Sequence, residues 1–190
     1  MSTMAAARGV VFAAPNGTVD EGGARFWNAT DACCDFYGSG VDDSAYLTAL
    51  IDEIEGRVNI DPNRIYFVGH SNGGFMSYRM ACDHADRIAA IASLAGTTFE
   101  DQQDCAATEP VSVLHIHGTA DTDILYAGGV HGGSGVVYPG AVETAARWAA
   151  IDGCGATATE GAPRDIDADL GGAETTVDAY PGCSGTAVEL

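Results

Sequence analysis

A serine between two glycines raises the first chemical question. The run Gly69-His70-Ser71-Asn72-Gly73 has the Gly-x-Ser-x-Gly spacing of a nucleophile elbow. Such a turn from strand to helix strains the backbone at the serine and needs small neighbours so that strand and helix can approach. Upstream, Arg64 to Val68 reads Arg-Ile-Tyr-Phe-Val, a β-branched and aromatic run. Downstream, Phe75, Met76, Arg79, Met80 and Cys82 recur at helical spacing. Ser71 is therefore the candidate nucleophile, a hydroxyl aimed at an electrophilic carbonyl. With 25 glycines in the chain, five such residues also arise as a plain Gly-rich turn. The strand and helix on either side decide for the elbow.

A serine nucleophile needs an acid and a base. The apolar run Val111 to Ile116 delivers His117-Gly118-Thr119-Ala120-Asp121 at its carboxyl end, fifty residues after Ser71. Active sites of open parallel sheets collect at that edge, which makes Asp121 the candidate acid and Asp123 the second choice. The competing role for Asp121 is an Asx-turn that caps its own loop. Five histidines are available as a base: His70, His84, His115, His117 and His131. His70 is the variable position of the elbow, His84 ends the following helix, and His115 and His117 belong to the strand before Asp121. His131, ten residues after Asp121 in the Gly-rich segment Gly128 to Gly135, is the one candidate base, weighed against a surface-loop histidine.

The elements that must hold these groups alternate. Gly9 to Ala14 is an apolar run closed by Pro15-Asn16-Gly17 and reads as a buried parallel strand; the Ala-rich start before it reads as the tail of a helix. Thr18 to Gly40 is a long loop with Trp27 and Cys33-Cys34. Asp42 and Asp43 precede the one-sided stripe Tyr46, Leu47, Leu50, Ile51, Ile54 and Val58, a helix with acids at its positive end. Further strands are expected at Ile88 to Leu94 and Val111 to Ile116, a helix at Val142 to Ala150, and two strand beginnings at Thr175 to Tyr180 and Ala187 to Leu190. The alternation predicts an α/β fold over residues 1–190 as one domain, a mostly parallel sheet with helices on both faces.

Composition narrows the partners. The chain has 190 residues, 27 acidic side chains against 8 arginines, no lysine and a net charge of −19. Such a surface repels phosphate backbones, so nucleic acid is not expected as a partner. Adaptation to high salt and acidic bias in a GC-rich genome both account for the charge. No apolar stretch approaches the ~20 residues of a membrane span, so no membrane partner is expected. Six cysteines lack metal-site spacing, which favours disulfides in an oxidising compartment over a metal. Secretion follows, although Met1 to Arg8 is no signal peptide, so the expectation is either an export signal outside this chain or a cytosolic protein with free thiols. No cofactor is called for.

A series of motifs carries a resemblance. Trp27-Asn28 with Cys33-Cys34, Val41-Asp42-Asp43, Asn59 to Tyr66, Gly69 to Gly74, Arg79-Met80-Ala81-Cys82 and Leu114 to Asp121 occur in this order. Together they resemble the secreted polyhydroxybutyrate depolymerase-like and feruloyl esterase family of α/β-hydrolases, over nearly the whole chain. The resemblance implies Ser71 as nucleophile, Asp121 as acid and the Asn72 backbone N–H as an oxyanion donor. It also implies a Cys154–Cys183 disulfide, leaving Cys33 and Cys34 to pair with Cys82 and Cys105 in either order.

Against the family pattern, the His loop that follows a Val-Glu-Leu strand and an early strand with a His-Gly oxyanion turn are both missing. The resemblance therefore implies a fragment truncated at both ends, expected to be inactive on p-nitrophenyl esters or insoluble when expressed alone. The substrates implied are feruloyl or acetyl esters of polysaccharides, or polyhydroxyalkanoate-type esters, cleaved through an acyl-enzyme on Ser71. Trp27, Tyr126 and Tyr138 are candidates for an aromatic wall. The alternative is a catalytically silent binding module for carbohydrate or polyester; an acyltransferase would share the same elbow. Oligomeric state is not legible.

Overall fold

The computed structural model describes residues 2–131 and 134–190. Met1 and two glycines of the Gly-rich segment, Gly132 and Gly133, lie outside the described residues. A short helix α1 (Ser2–Ala7) opens the chain. A ribbon of β1 (Thr18–Val19) and β2 (Arg25–Phe26) follows, and then α2 (Asp43–Arg57). Asp42 caps α2 by accepting from the Ala45 N–H at 2.9 Å, and Leu47 and Ile51 of the apolar stripe are buried. The helix is legible in the sequence because acids at its positive end and a 3.6-residue apolar period agree.

The central unit is β3 (Tyr66–His70), α3 (Asn72–Asp83), β4 (Ala90–Leu94) and β5 (Ser112–Ile116). A hairpin of β6 (Gly128–Val130) and β7 (Val137–Pro139) leads to α4 (Ala141–Ile151). The chain closes with β8 (Thr159–Glu160), β9 (Asp178–Tyr180) and β10 (Val188–Glu189). The six-stranded sheet has the order β3-β4-β5-β10-β9-β8. Strands β3, β4, β5 and β10 run parallel, β9 pairs antiparallel with β10, and β8 pairs antiparallel with β9. This is an α/β fold with a mostly parallel sheet. No helix among the described residues is long and apolar enough to cross a membrane.

Alternation along the strands shows where the core sits. Ile91, Ser93, Val113 and His115 point to one face and are buried with Phe75, Tyr78 and Met80 of α3 and Trp148 of α4. The intervening residues face the other way, and there the expected cover of helices is not found among the described residues. Val68 is 77% exposed, with Tyr66, Leu94 and Leu114 also exposed.

Two more expectations are corrected. Gly9 to Ala14 forms no strand, and Val10, Val11 and Phe12 are about half exposed. A strand of this kind is stable only when a neighbour takes up its backbone hydrogen bonds; the run pairs with no strand among the described residues, and β3 is a sheet edge there. The cysteines pair as Cys33–Cys34, Cys82–Cys105 and Cys154–Cys183. The implied Cys154–Cys183 bond is present, but no bond links the Cys33-Cys34 loop to Cys82 or Cys105. Cys82 ends α3 with its Cα 4.7 Å from that of Cys105, within normal disulfide reach, which leaves the two adjacent cysteines to each other.

Candidate active site

Strand β3 ends at His70 and α3 begins at Asn72, so the reversal falls on Ser71 alone. Ser71 takes φ 52° and ψ −120°, a conformation that costs a residue with a Cβ about 1–3 kcal/mol. Three backbone bonds hold it there. Its N–H donates to the Leu94 C=O at 2.8 Å, and its C=O accepts from the Gly74 and Phe75 N–H groups at 2.8 and 3.0 Å. A serine at a helix start ordinarily turns its hydroxyl onto the first amides. Ser71 makes no such bond. The strained backbone thus keeps the hydroxyl uncommitted beside the positive end of α3, where the Asn72 N–H is the first amide of the helix.

Glycines make the turn possible, though not all those the motif suggests. A Cβ on Gly69 would run into the Gly73 backbone. One on Gly74 would meet Ser93 Oγ at 2.5 Å and Gly96 Cα at 3.1 Å, whereas one on Gly73 would meet nothing within 4 Å. The close approaches are therefore Gly69 to Gly73 and Gly74 to Gly96. The second lies outside the five-residue pattern, and only the packing of α3 on β4 reveals it.

The long loop is tied to the elbow through Asn72, whose side chain bonds both backbone polar groups of Trp27. Next to Trp27, the Asn28 N–H donates to the buried Asp43 carboxylate at 2.7 Å. Burial raises the pKa of Asp43, opposed by that hydrogen bond. Between this loop and Ser134 lies a cleft of about 330 Å³ lined by Asn28, Thr30, Asp31, Asp35, Phe36 and Ser134.

Asp121 lies on the loop after β5, at the same sheet edge as Ser71 and two strands away, so the two strand ends are about 10 Å apart. Its Oδ1 accepts from the Asp123 and Ile124 N–H groups at 2.9 and 3.1 Å. The Asx-turn weighed against it is thus present on one oxygen. Its Oδ2 lies 3.7 Å from His117 Nε2. Asp123, the second choice, is exposed and lies 3.7 Å from His131 Nε2. His131 stacks on Phe36 with centroids 5.4 Å apart, so its contacts are with the cleft wall and Asp123.

A serine–histidine pair away from Ser71, Ser44 with His84, has the wrong polarity for catalysis. Ser44 Oγ donates to Asp83 Oδ2 at 2.8 Å, and Thr48 Oγ1 donates to the Ser44 C=O at 2.9 Å. Both hydroxyl oxygens then accept from His84 Nε2–H, at 2.9 and 3.0 Å. His84 offers Ser44 no base, and the cluster ties α2 to α3. Of the aromatic wall, Trp27 stacks on Tyr46 and Tyr126 lies edge-on to His117. Tyr138 is corrected: it is buried against Phe75, and its hydroxyl accepts from the Leu125 N–H at 2.8 Å.

The fold and the elbow together define an α/β-hydrolase architecture, with a serine at the carboxyl edge of a parallel sheet. No family model matches the chain. It is similar to feruloyl esterase B of Piromyces equi, with 34% identity over 134 residues covering 67% of this chain and 24% of that protein. It is also similar to the bifunctional acetylxylan esterase/xylanase XynS20E of Neocallimastix patriciarum, with 33% identity over 87 residues, 46% of this chain and 13% of that protein. The similarity is to carboxylic-ester hydrolases, and the chain spans about a quarter or less of the length of these two relatives.

Proposed function

We propose that the chain carries the nucleophile of a serine carboxylic-ester hydrolase, with Ser71 as nucleophile, Asp121 as acid and the Asn72 N–H as an oxyanion donor. The observation that carries this is the strained Ser71, held at positive φ with its hydroxyl withdrawn from capping. Ser71 Oγ would attack the ester carbonyl and lose its proton to a base, and the oxyanion would rest on the Asn72 amide. Its collapse would break the ester C–O bond and expel the alcohol, which takes the proton back from the base, and water would then hydrolyse the acyl-enzyme to free the acid and Ser71. Among the described residues no histidine hydrogen bond reaches Ser71, so the base is left unassigned.

Esters of plant polysaccharides, feruloyl or acetyl, are the proposed substrates. Similarity to feruloyl and acetylxylan esterases supports this. The cleft, which neither Ser71 nor Asp121 lines, would serve the sugar part of such a substrate, because Asn28, Asp31 and Asp35 offer acceptors for sugar hydroxyls beside the Phe36 ring. A polyhydroxyalkanoate chain has few hydroxyls to use them. Three disulfides suit an oxidising, extracellular setting.

A fluorophosphonate probe tests the nucleophile. One adduct on Ser71, abolished by Ser71→Ala, is the expected result, and no adduct would overturn the proposal. The competing reading is a silent carbohydrate-binding module, favoured by the lack of a histidine bonded to Ser71 among the described residues. It predicts xylan-oligosaccharide binding without labelling.

A further inference from the structure

Behind the sheet edge, four groups form one buried chain of hydrogen bonds. Tyr78 Oη lies 2.8 Å from His115 Nδ1, His115 Nε2 lies 3.2 Å from His117 Nδ1, and His117 Nε2 lies 2.7 Å from the Ile124 C=O. Tyr78 and His115 are buried, and the His117 side chain has no exposed surface. These contacts come from three places in the chain: α3, the end of β5, and the loop that carries Asp121.

The polarity of the chain follows from its last member. A carbonyl oxygen only accepts, so His117 Nε2 carries the proton. Where His117 carries that proton alone, its Nδ1 is bare and His115 Nε2 donates to it. A neutral His115 in turn has a bare Nδ1, which accepts from the Tyr78 hydroxyl. Burial, reinforced by the neighbouring His117, lowers the His115 pKa to about 3, so His115 is neutral near pH 7. Each donor and acceptor along the line is used once.

Ile124 joins this chain to the candidate acid. Its C=O accepts from His117 while its N–H donates to Asp121 Oδ1 at 3.1 Å. At the other end, Tyr78 lies two turns along the helix that Ser71 starts. Asp121 Oδ2, at 3.7 Å from His117 Nε2, is beyond hydrogen-bond distance, and Tyr126 closes the other side of the His117 ring.

We infer that Tyr78, His115 and His117 are positioning residues, a hydrogen-bond line of fixed polarity that holds the Asp121 carboxylate in register with the helix carrying Ser71. The inference rests on the proposed roles of Ser71 and Asp121. Apolar side chains could fill the same space, but they would leave the Asp121 loop free to shift along the strand end. Directional bonds between buried partners admit one register.

Nitrogen-15 NMR of the histidine-labelled chain reads the tautomers. His115 and His117 should both be protonated at Nε2 and bare at Nδ1 near pH 7; an Nδ1–H on either overturns the inference. Amide exchange reads the mechanical coupling. Tyr78→Phe keeps the ring and removes one donor, and is expected to speed exchange at Asp123 and Ile124 about tenfold while leaving Ile91 and Val113 unchanged. His117→Leu should do the same, and His117→Gln, which keeps a donor for Ile124, should restore protection. Unchanged loop exchange in Tyr78→Phe overturns the coupling.

The rate of fluorophosphonate labelling of Ser71 reads the positioning role. Tyr78→Phe should lower it by about ten- to a hundredfold at unchanged probe affinity, and an unchanged rate overturns that role. An unlabelled wild-type chain with the expected tautomers and loop coupling would instead overturn the hydrolase reading alone.

Discussion

The Asn72 side chain clasps the backbone of Trp27 from both sides. Its Oδ1 accepts from the Trp27 N–H at 2.7 Å, and its Nδ2 donates to the Trp27 C=O at 2.9 Å. The residue after the candidate nucleophile thereby fixes the long loop that forms one wall of the cleft. Removing the amide strands two part-buried backbone groups, each bond being worth about 0.5–1.5 kcal/mol net. Asn72→Ala is expected to lose about 1–3 kcal/mol in urea unfolding and to raise hydrogen exchange at Trp27. An unchanged midpoint would contradict the clasp.

The glycines of the elbow should respond in opposite directions. Gly69→Ala places a methyl against the Gly73 backbone, and Gly96→Ala places one 2.7 Å from Gly74 Cα. Overpacking of this kind costs about 1–3 kcal/mol or more. Gly73→Ala meets nothing within 4 Å and lies inside α3, so it should stabilise by up to about 1 kcal/mol. Thermal melts of the three variants would show whether the order holds.

Acid should unfold the chain partly through His115. Its folded pKa, about 3, lies below the ordinary value of 6.5, so between those limits the unfolded chain binds a proton that the folded chain does not. Stability is then complete above about pH 6.5 and falls as pH drops towards 3, by at most about 1.4 kcal/mol per unit from this residue. His115→Gln is expected to be less stable at pH 7 and to lose less on acidification. Parallel pH profiles for variant and wild type would count against a neutral, buried His115.

The Cys82–Cys105 bond spans a separation of 23 residues and anchors the end of α3. Loop-closure entropy for that length corresponds to about 3 kcal/mol. The Cys82→Ser, Cys105→Ser double variant should unfold at correspondingly lower urea. An equal midpoint would show that the packing of α3 on the sheet holds this end without the bond.

The open sheet face should be visible to a dye. Val68, Ala92 and Leu114 align across β3, β4 and β5, with Leu94 and Ile116 in the next row, and Val68, Leu94 and Leu114 are exposed. Contiguous apolar surface of this kind binds hydrophobic probes. The native chain should enhance anilinonaphthalene sulfonate fluorescence, and Val68→Lys should reduce the signal. No enhancement in the native chain would mean that this face is covered in solution.

Local signals in the chain located most of the elements. The acids Asp42 and Asp43 and the stripe through Leu47 and Ile51 marked α2, and the apolar runs marked β4 and β5, because helix-end charge and periodicity act over a few residues. Gly9 to Ala14 had the same apolar signal and formed no strand, since a strand exists only with a partner, and pairing is not encoded in the run itself. β8, only two residues long and polar, gave no periodic signal.

For the candidate site, the amino-acid order by itself determined the strained turn at Ser71, with its strand before and helix after, and the placement of Asp121 at the end of a later strand. Those are consequences of local steric and hydrogen-bonding rules. Only the tertiary structure decided how Cys33, Cys34, Cys82 and Cys105 pair, that His131 turns to Phe36 and Asp123, that Tyr138 is core, and that Tyr78, His115 and His117 line up behind Asp121. These depend on contacts between residues distant in the chain, and such contacts are chosen by the packing of α3 and α4 on the sheet, where directional bonds and excluded volume leave one arrangement.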